Sequence, residues 1–465
     1  MNNYLNNYIN HFYHEDAVYF DHWYTGEDLQ NLYYEVLSAL AGITNKIIAI
    51  WLDNSIEYIV SYFAILDTTN NIFPIFYHVT KAEFNRYVID ADVYAVFTSS
   101  EELLEGFSMI VKINSKLFLQ IRNESIPKNL ESECVLLLTS GTTGNNSKIV
   151  IHDFRRLSFN ALEHAQSIEL TRADIGIIIL PMNFGYCHTT QFLTYIIKLN
   201  KIVISRIITS TYKIISLINK HGVTTTSLTP YRLALLKNAL QKEENYSLKK
   251  IIFGGASCSK ELLNEIQEKS LYKIDFFQTY GQTELGPRVT TKKITEFTPM
   301  NNVGSVINNN IEIKVIPIEG QKVGGRILVK SPFVMRKYYD DVVELDQDVF
   351  FDTGDIGYLK DNELFLLGRD SVWVKNKDIR FNPVEIENYL KKYFPNFDFI
   401  LVVNHNTLTL YFEALCNDLI DRSNLIKILK KKFSSYKIPD RVIHVKNFQR
   451  TSSGKIKRFY YSDAL

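Results

Sequence analysis

The chain has 465 residues, more than a single hydrophobic core ordinarily organises, so at least two domains are expected. Hydrophobic residues make up 46% of it and charged residues 22%, the balance of a soluble globular protein. The 52 Lys and Arg nearly cancel the 51 Asp and Glu, which removes any global attraction to nucleic acid or to an anionic membrane surface. Four cysteines, Cys134, Cys187, Cys258 and Cys416, form no CxxC pair and no metal-ligand spacing, which points to free thiols in a reducing cytoplasm rather than a disulfide framework or a zinc site. The start, MNNYLNNYINHFYHED, lacks the basic and apolar regions of a signal peptide, and runs such as Ile175 to Pro181 are too short to span a bilayer.

In chain order, short β-rich apolar runs lead into helical patterns. IIAIWL (47–52) precedes SIEYIVSYFAILD (55–67), KIVISRI (201–207) precedes TYKIISLINKHG, and KKIIFGG (249–255) precedes SKELLNEIQEKS. This alternation predicts α/β layers with largely parallel strands. From about residue 302 the texture turns to strands broken by Gly, Asn and Asp, as in VGSVINNNIEIKVIPIEGQKVGGRILVKSP, which predicts a β-rich subdomain closing the larger domain. After Gly368 a smaller α+β unit is expected, with a helix around VEIENYLKKYF, strands near FILVVN and LTLYFEAL, a Lys-rich helix and a closing segment. The expected division is 1–368 and 369–465, with a short linker at Arg369 to Ser371.

The stretch VLLLTSGTTGNNSKIV carries the most chemistry. A buried strand, Val135 to Leu138, runs into Thr139, Ser140, Gly141, Thr142, Thr143 and Gly144. Glycines let backbone N–H groups approach an anion, and clustered hydroxyls add donors, so the loop suits a polyphosphate. By itself a Ser/Thr/Gly turn usually only connects elements, and this one is not the GxxxxGK[ST] phosphate loop.

Together with four further segments in fixed order, TSGTTG resembles the phosphate-loop signature of the adenylate-forming superfamily: acyl-CoA synthetases, peptide-synthetase adenylation domains and luciferases. Those segments are FFQTYGQTELGP (276–287), FDTGDIGYL (351–359), GRDSVWVKNKDIRFNPVEIE (368–387) and RTSSGKIKR (450–458), and the likeness spans nearly the whole chain. The resemblance implies a large AMP-binding domain and a small mobile α+β C-terminal domain. The implied reaction activates a carboxylic acid with ATP and Mg²⁺ to acyl-AMP, releasing pyrophosphate, then transfers the acyl group to CoA or to the phosphopantetheine of a separate carrier protein. Alternatives within the same resemblance are a non-thiol acceptor, by amine ligation or oxidation, and a catalytically degenerate nucleotide-binding protein.

Carried over by motif, Thr139 to Gly144 and Lys148 would cradle phosphates, and the GGASCS turn would present Gly254, Gly255 and Ala256 to the nucleotide. Gln278, Thr279, Tyr280 and Gly281 would line the adenine, Thr283 would touch the α-phosphate and Glu284 would hold Mg²⁺. Asp355 would accept from the ribose hydroxyls and Arg369 would add a cation. Lys455 would reach the α-phosphate from the small domain, about a hinge at Asp370 and Ser371. Each has an ordinary counterpart: a surface glutamate, a turn aspartate, an interdomain salt bridge, a solvated basic tail.

The segment IIILPMNFGYCHTTQFLTYIIKLN (177–200) resembles the acyl pocket, with Phe184, Tyr186 and His188 at the shaping positions. A His among apolar residues is more often a core residue than a catalytic one. The peptide-synthetase members of the family it resembles carry an Asp here to hold an α-amino group, and none falls between Pro181 and Gln191, so the resemblance disfavours an amino acid substrate without excluding it. Three departures stand out. The phosphate loop continues Gly144, Asn145, Asn146, Ser147, Lys148, Ile149, one residue longer than usual and without its Pro and final Gly. The usual pivot position falls on Ser371. Asp378 takes the place of a glycine beside the expected thiol path.

Overall fold

The protein is described by a computed structural model over residues 4–123, 130–139, 148–207, 209–240, 247–255, 258–268, 273–318, 321, 323–372, 374–376, 379–404, 407–414, 420–450 and 456–461. Contact density divides the chain into two units. The first holds 1–139, 148–312 and 330–349; the second holds 140–147, 313–329 and 350–465.

In the first unit one sheet runs Lys337–Tyr338, Ile149–Asp153, Cys134–Leu138, Asn71–Pro74, Ile47–Trp51, Ala95–Thr98, Phe118–Ile121, Met109–Lys112. A second runs Asn302–Val306, Thr290–Lys293, Asp275–Tyr280, Lys250–Gly254, Thr225–Leu228, Ile175–Ile178, Lys201–Ile204, Asp16–Tyr19, Trp23–Thr25. From Asp275–Tyr280 to Asp16–Tyr19 this sheet is parallel. Its strands are short runs of β-branched residues buried on both faces, which is the pattern parallel sheets require.

The expected helices follow these strands. Ile56–Asp67 starts at Ser55, whose hydroxyl accepts from the Tyr58 amide, and it is buried from Ile56 to Leu66. Thr211–Lys220 is capped by Ser210 in the same way, and Lys260–Glu268 buries Leu263 and Ile266. The alternation read from the sequence is therefore a layered α/β fold.

Asn54 ties the two sheets' loops together. Its Nδ2 donates to the carbonyls of Leu180 (2.9 Å) and Ser205 (3.2 Å), and its Oδ1 accepts from the Met182 amide (3.0 Å). At 1% exposure, no water can replace those bonds.

The second unit contains the strands Glu312–Pro317 and Gly325–Lys330 apart from their end residues Glu312 and Lys330, with Phe351–Lys360 and Glu363–Arg369, followed by an α+β region. There the strands Phe397–Asn404, Thr407–Ala414 and Arg441–His444 pack with helices Pro383–Tyr393 and Arg422–Lys430 around Ile386, Leu390, Leu401, Leu410 and Leu429. The expected boundary at 368/369 falls inside this unit, at the last residue of a long hairpin that pairs Asp355 with Arg369. Among the described residues no helix is long and apolar enough to cross a membrane.

Two predictions follow from the buried polar groups. Asn54→Leu keeps the volume but strands two carbonyls and an amide, and should lower unfolding free energy by about 3 kcal/mol in denaturant titration. Burial holds His152 down to about 4 and His188 to about 3, and holds His164 well below the ordinary range. The unfolded chain binds protons on these groups below about pH 6.5 while the folded chain does not, so stability present above that pH should fall as pH drops towards 4. His152→Gln should flatten that slope by one proton, an effect on the order of 3 kcal/mol at pH 4.

Candidate active site

The strand Asp275–Tyr280 lies between Lys250–Gly254, where Gly254 faces Thr279, and Thr290–Lys293, where Thr290 faces Tyr280. It delivers Gln278, Thr279 and Tyr280, all buried, to one sheet end. Beyond Gly281 and Gln282 the chain makes a single tight turn, Thr283–Leu285, closed by Gly286 at φ +96°. A Cβ on Gly286 would lie 2.6 Å from that of Phe333, so both the backbone angle and the space call for glycine.

This turn is fixed from outside. His152 Nε2 donates to the Thr283 carbonyl at 2.6 Å, a bond suited to the neutral imidazole that burial enforces. The Met335 amide donates to the Glu284 carbonyl at 2.8 Å. The Glu284 carboxylate accepts from the Tyr338 hydroxyl at 3.1 Å, and among the described residues no lysine or arginine pairs with it. A half-buried carboxylate that has one neutral donor among the described residues fits Mg²⁺, which takes few protein oxygens and completes its shell from phosphates and water.

Lys148 comes to the same place, its Nζ 4.4 Å from the centre of the Tyr338 ring. Its backbone is locked to Thr139 by a reciprocal pair: the Thr139 amide donates to the Lys148 carbonyl (2.9 Å), and the Lys148 amide donates to Thr139 Oγ1 (3.1 Å). Thr139, Lys148, Thr283 and Glu284 are thus gathered at one end of the first unit. Ser140, Gly141, Thr142, Thr143, Gly144, Ala256, Asp378 and Lys455 lie outside the described residues.

Phe184, Tyr186 and His188 open a helical segment whose turn His188–Leu193 is of the wider π type, a form that often marks functional positions. Tyr186 packs against the GG turn: a Cβ on Gly254 would lie 2.9 Å from its Cε2 and 2.6 Å from the Thr279 carbonyl. A Cβ on Gly185 would lie 3.1 Å from Thr283 Oγ1. These close approaches bring the expected acyl segment against the expected nucleotide strand. Gly255, at φ +76°, has open space beside it. Phe184 stacks obliquely on Phe76, with ring centres 5.3 Å apart. His188 points elsewhere, fully buried between Tyr62 and Phe192 with its Nε2 2.8 Å from the Tyr62 hydroxyl.

In the second unit, Asp355 Oδ1 accepts from Arg369 Nε at 2.8 Å, and Arg369 Nη1 also donates to the Thr353 carbonyl at 3.2 Å. Asp355 is 6% exposed and its amide donates to Thr353 Oγ1. Asp370 and Ser371 follow in the short turn Asp370–Val372.

Sequence reading missed His152 and Tyr338. Neither belongs to a motif used above; Tyr338 reaches Glu284 because Lys337–Tyr338 pairs with Ile149–Asp153, placing Tyr338 opposite Val150.

The family described as AMP-binding enzyme matches residues 8–339, most of the chain. The 2-succinylbenzoate--CoA ligase of Staphylococcus epidermidis (strain ATCC 35984) is 25% identical over 451 residues, covering 93% of this chain and 91% of its own. The enzyme of the same name from Bacillus subtilis (strain 168) is 29% identical over 356 residues, 72% of this chain and 70% of its own. Among solved structures, O-succinylbenzoate Coenzyme A Synthetase (MenE) from Bacillus subtilis, in complex with ATP and magnesium ion, superposes with a TM-score of 0.82 at 23% identity over 98% of each chain, which establishes a common fold. With the family's pattern running through the unit that holds the Thr283–Glu284 turn, the chain belongs to the AMP-binding enzyme family.

Proposed function

We propose that this protein activates a carboxylic acid with ATP and passes the acyl group to the thiol of CoA. The observation that carries the reading is the Thr283–Glu284 turn, held by His152, Met335 and Tyr338, with a carboxylate unpaired by any described cation and Lys148 beside it.

In the first half-reaction a carboxylate oxygen of the acid bonds to the α-phosphorus and the bond to the β-phosphate oxygen breaks, so pyrophosphate leaves. Both reactants are anions, so fixed donors and cations must offset their repulsion as charge builds at the α-phosphorus. Glu284 would hold Mg²⁺, which when bound would supply Lewis-acid polarisation of the phosphates. Thr283 contacts the α-phosphate, and the 139–144 loop with Lys148 holds the outer phosphates. Tyr280 receives the adenine, beside Gln278, Thr279, Gly281 and the Gly254–Ala256 turn. Asp355, oriented by Arg369, accepts from the ribose hydroxyls. In the second half-reaction the thiol sulfur bonds to the acyl carbon, the bond to the AMP oxygen breaks, and the thiol proton passes to solvent.

The functional division lies at 369, with Lys455 on the small domain serving adenylation and a pivot at Asp370 and Ser371 exposing the thiol path near Asp378. CoA is favoured as acceptor by the relatives named as CoA ligases; a separate carrier protein presents the same thiol chemistry. The buried free thiols Cys134, Cys187 and Cys258 and the balanced charge support a cytoplasmic enzyme with no nucleic-acid partner.

The purified protein should catalyse Mg²⁺-dependent exchange of pyrophosphate into ATP with a cognate acid. Glu284→Ala should cut exchange at least about a hundredfold at an unchanged melting temperature. No exchange across aliphatic, aryl, hydroxy and amino acids would sink the reading. Lys455→Ala should slow acyl-AMP formation by roughly two orders of magnitude or more while sparing thioester formation from supplied acyl-AMP. Equal loss of both rates would show that the lysine has no half-reaction of its own.

A further inference from the structure

Arg288 sits where an arginine has no ordinary reason to be. It is 3% exposed, and of its five N–H donors only Nη1 finds an acceptor among the described residues, Thr279 Oγ1 at 3.1 Å; Nε is buried without a partner. No Asp or Glu pairs with it among the described residues. The guanidinium instead lies 4.5 Å from the centre of the Tyr186 ring, near His164, a neutral histidine whose two ring nitrogens are both buried without partners. Its backbone is held in place: Asn160 accepts from the Arg288 amide at 3.0 Å and donates to the Arg288 carbonyl at 2.8 Å. Asn160 and His164, four residues apart, share one face of the helix Phe154–Ser167. Burial lowers the Arg288 pKa to about 10, yet the group stays cationic at neutral pH.

A buried cation is strongly disfavoured unless an anion meets it, and among the described residues none supplies one. The position is informative, because the residues it touches are those of the proposed reaction. Tyr186 belongs to the acyl segment and packs on Gly254, Thr279 precedes the nucleotide turn, and Gly185 abuts Thr283.

We infer that Arg288 binds a second carboxylate on the substrate, so that the acid activated here is a dicarboxylic acid whose distal group pairs with the Arg288 guanidinium while the other is adenylated. Arg288 is then a specificity residue rather than part of the chemical step. The inference rests on the adenylate-forming reading and adds the substrate class to it. Two parallel N–H···O bonds to a carboxylate would satisfy the donors that the fold leaves open.

The test is pyrophosphate exchange by the full-length protein with matched pairs of acids, aliphatic and aryl dicarboxylates against their mono-amides, which keep shape but lose the distal charge. The diacid should be favoured in kcat/KM by at least about a hundredfold, because a site built for an anion leaves its own buried charge unpaired with the neutral analogue. Arg288→Met should remove most of that preference by raising KM for the diacid with KM for ATP unchanged, and Arg288→Lys should keep part of it. If Arg288→Met does not fold, the wild-type pairs and Arg288→Lys decide. Mono-amides exchanged as well as diacids, or a preference that survives Arg288→Met, would overturn the assignment and leave adenylation standing. Exchange with no acid of either kind would overturn the adenylation reading and this inference with it.

Discussion

The carbonyls of Thr283 and Glu284 are both bonded by groups from outside their own turn, and the site's geometry depends on that pair of contacts. A three-residue turn has too few internal hydrogen bonds to hold a rotamer against solvent. Here His152 arrives from the strand Ile149–Asp153 and Met335 from the segment leading into Lys337–Tyr338, which pairs with that same strand. One sheet register therefore sets the turn's backbone, the Tyr338 hydroxyl on Glu284 and the Thr139–Lys148 pair together. A one-residue slip would turn His152 to the opposite face and lose all three.

The choice of a buried, neutral histidine for the Thr283 contact has an electrostatic logic. A cation there would compete with a metal for the adjoining carboxylate, whereas a neutral N–H donor fixes the carbonyl without altering the charge of the site. The same economy appears at Tyr338, a neutral donor to Glu284 that also turns its ring face to Lys148. Charge is thus kept available for the phosphates proposed to bind here rather than consumed in ion pairs among the described residues. The second unit is organised otherwise: Asp355 and Arg369 are already paired across their hairpin, so the carboxylate proposed to accept from a ribose is held in one orientation by its own neighbour.

Much of this was legible in the sequence where chemistry and chain order coincide. Parallel strands announce themselves as β-branched runs followed by Ser-capped helices, and Ser55 and Ser210 mark two of those starts. The YGQTE stretch was readable because strand, turn and carboxylate are contiguous. His152 and Tyr338 were not, since they lie 131 and 54 positions from their partners and meet them only through strand pairing. Arg288 was hidden differently. It is printed within four residues of Glu284, yet an arginine reads as surface until its burial is known. His188 looked like a pocket residue by position alone, and its contact with Tyr62 comes from the direction its helical turn faces.

The reciprocal bonds between Thr139 and Lys148 bear on how this family can vary. They fasten both ends of the segment 140–147 to adjacent strands, so the cost of closing it is that of a short tether between fixed posts. Closure entropy grows only logarithmically with length, and one added residue in a loop of this size costs on the order of 0.1 kcal/mol. The extra residue and the missing Pro and Gly after Gly144 are changes the posts can absorb without moving either strand. A change of length in this stretch is therefore thermodynamically almost free as long as the clasp at its base holds.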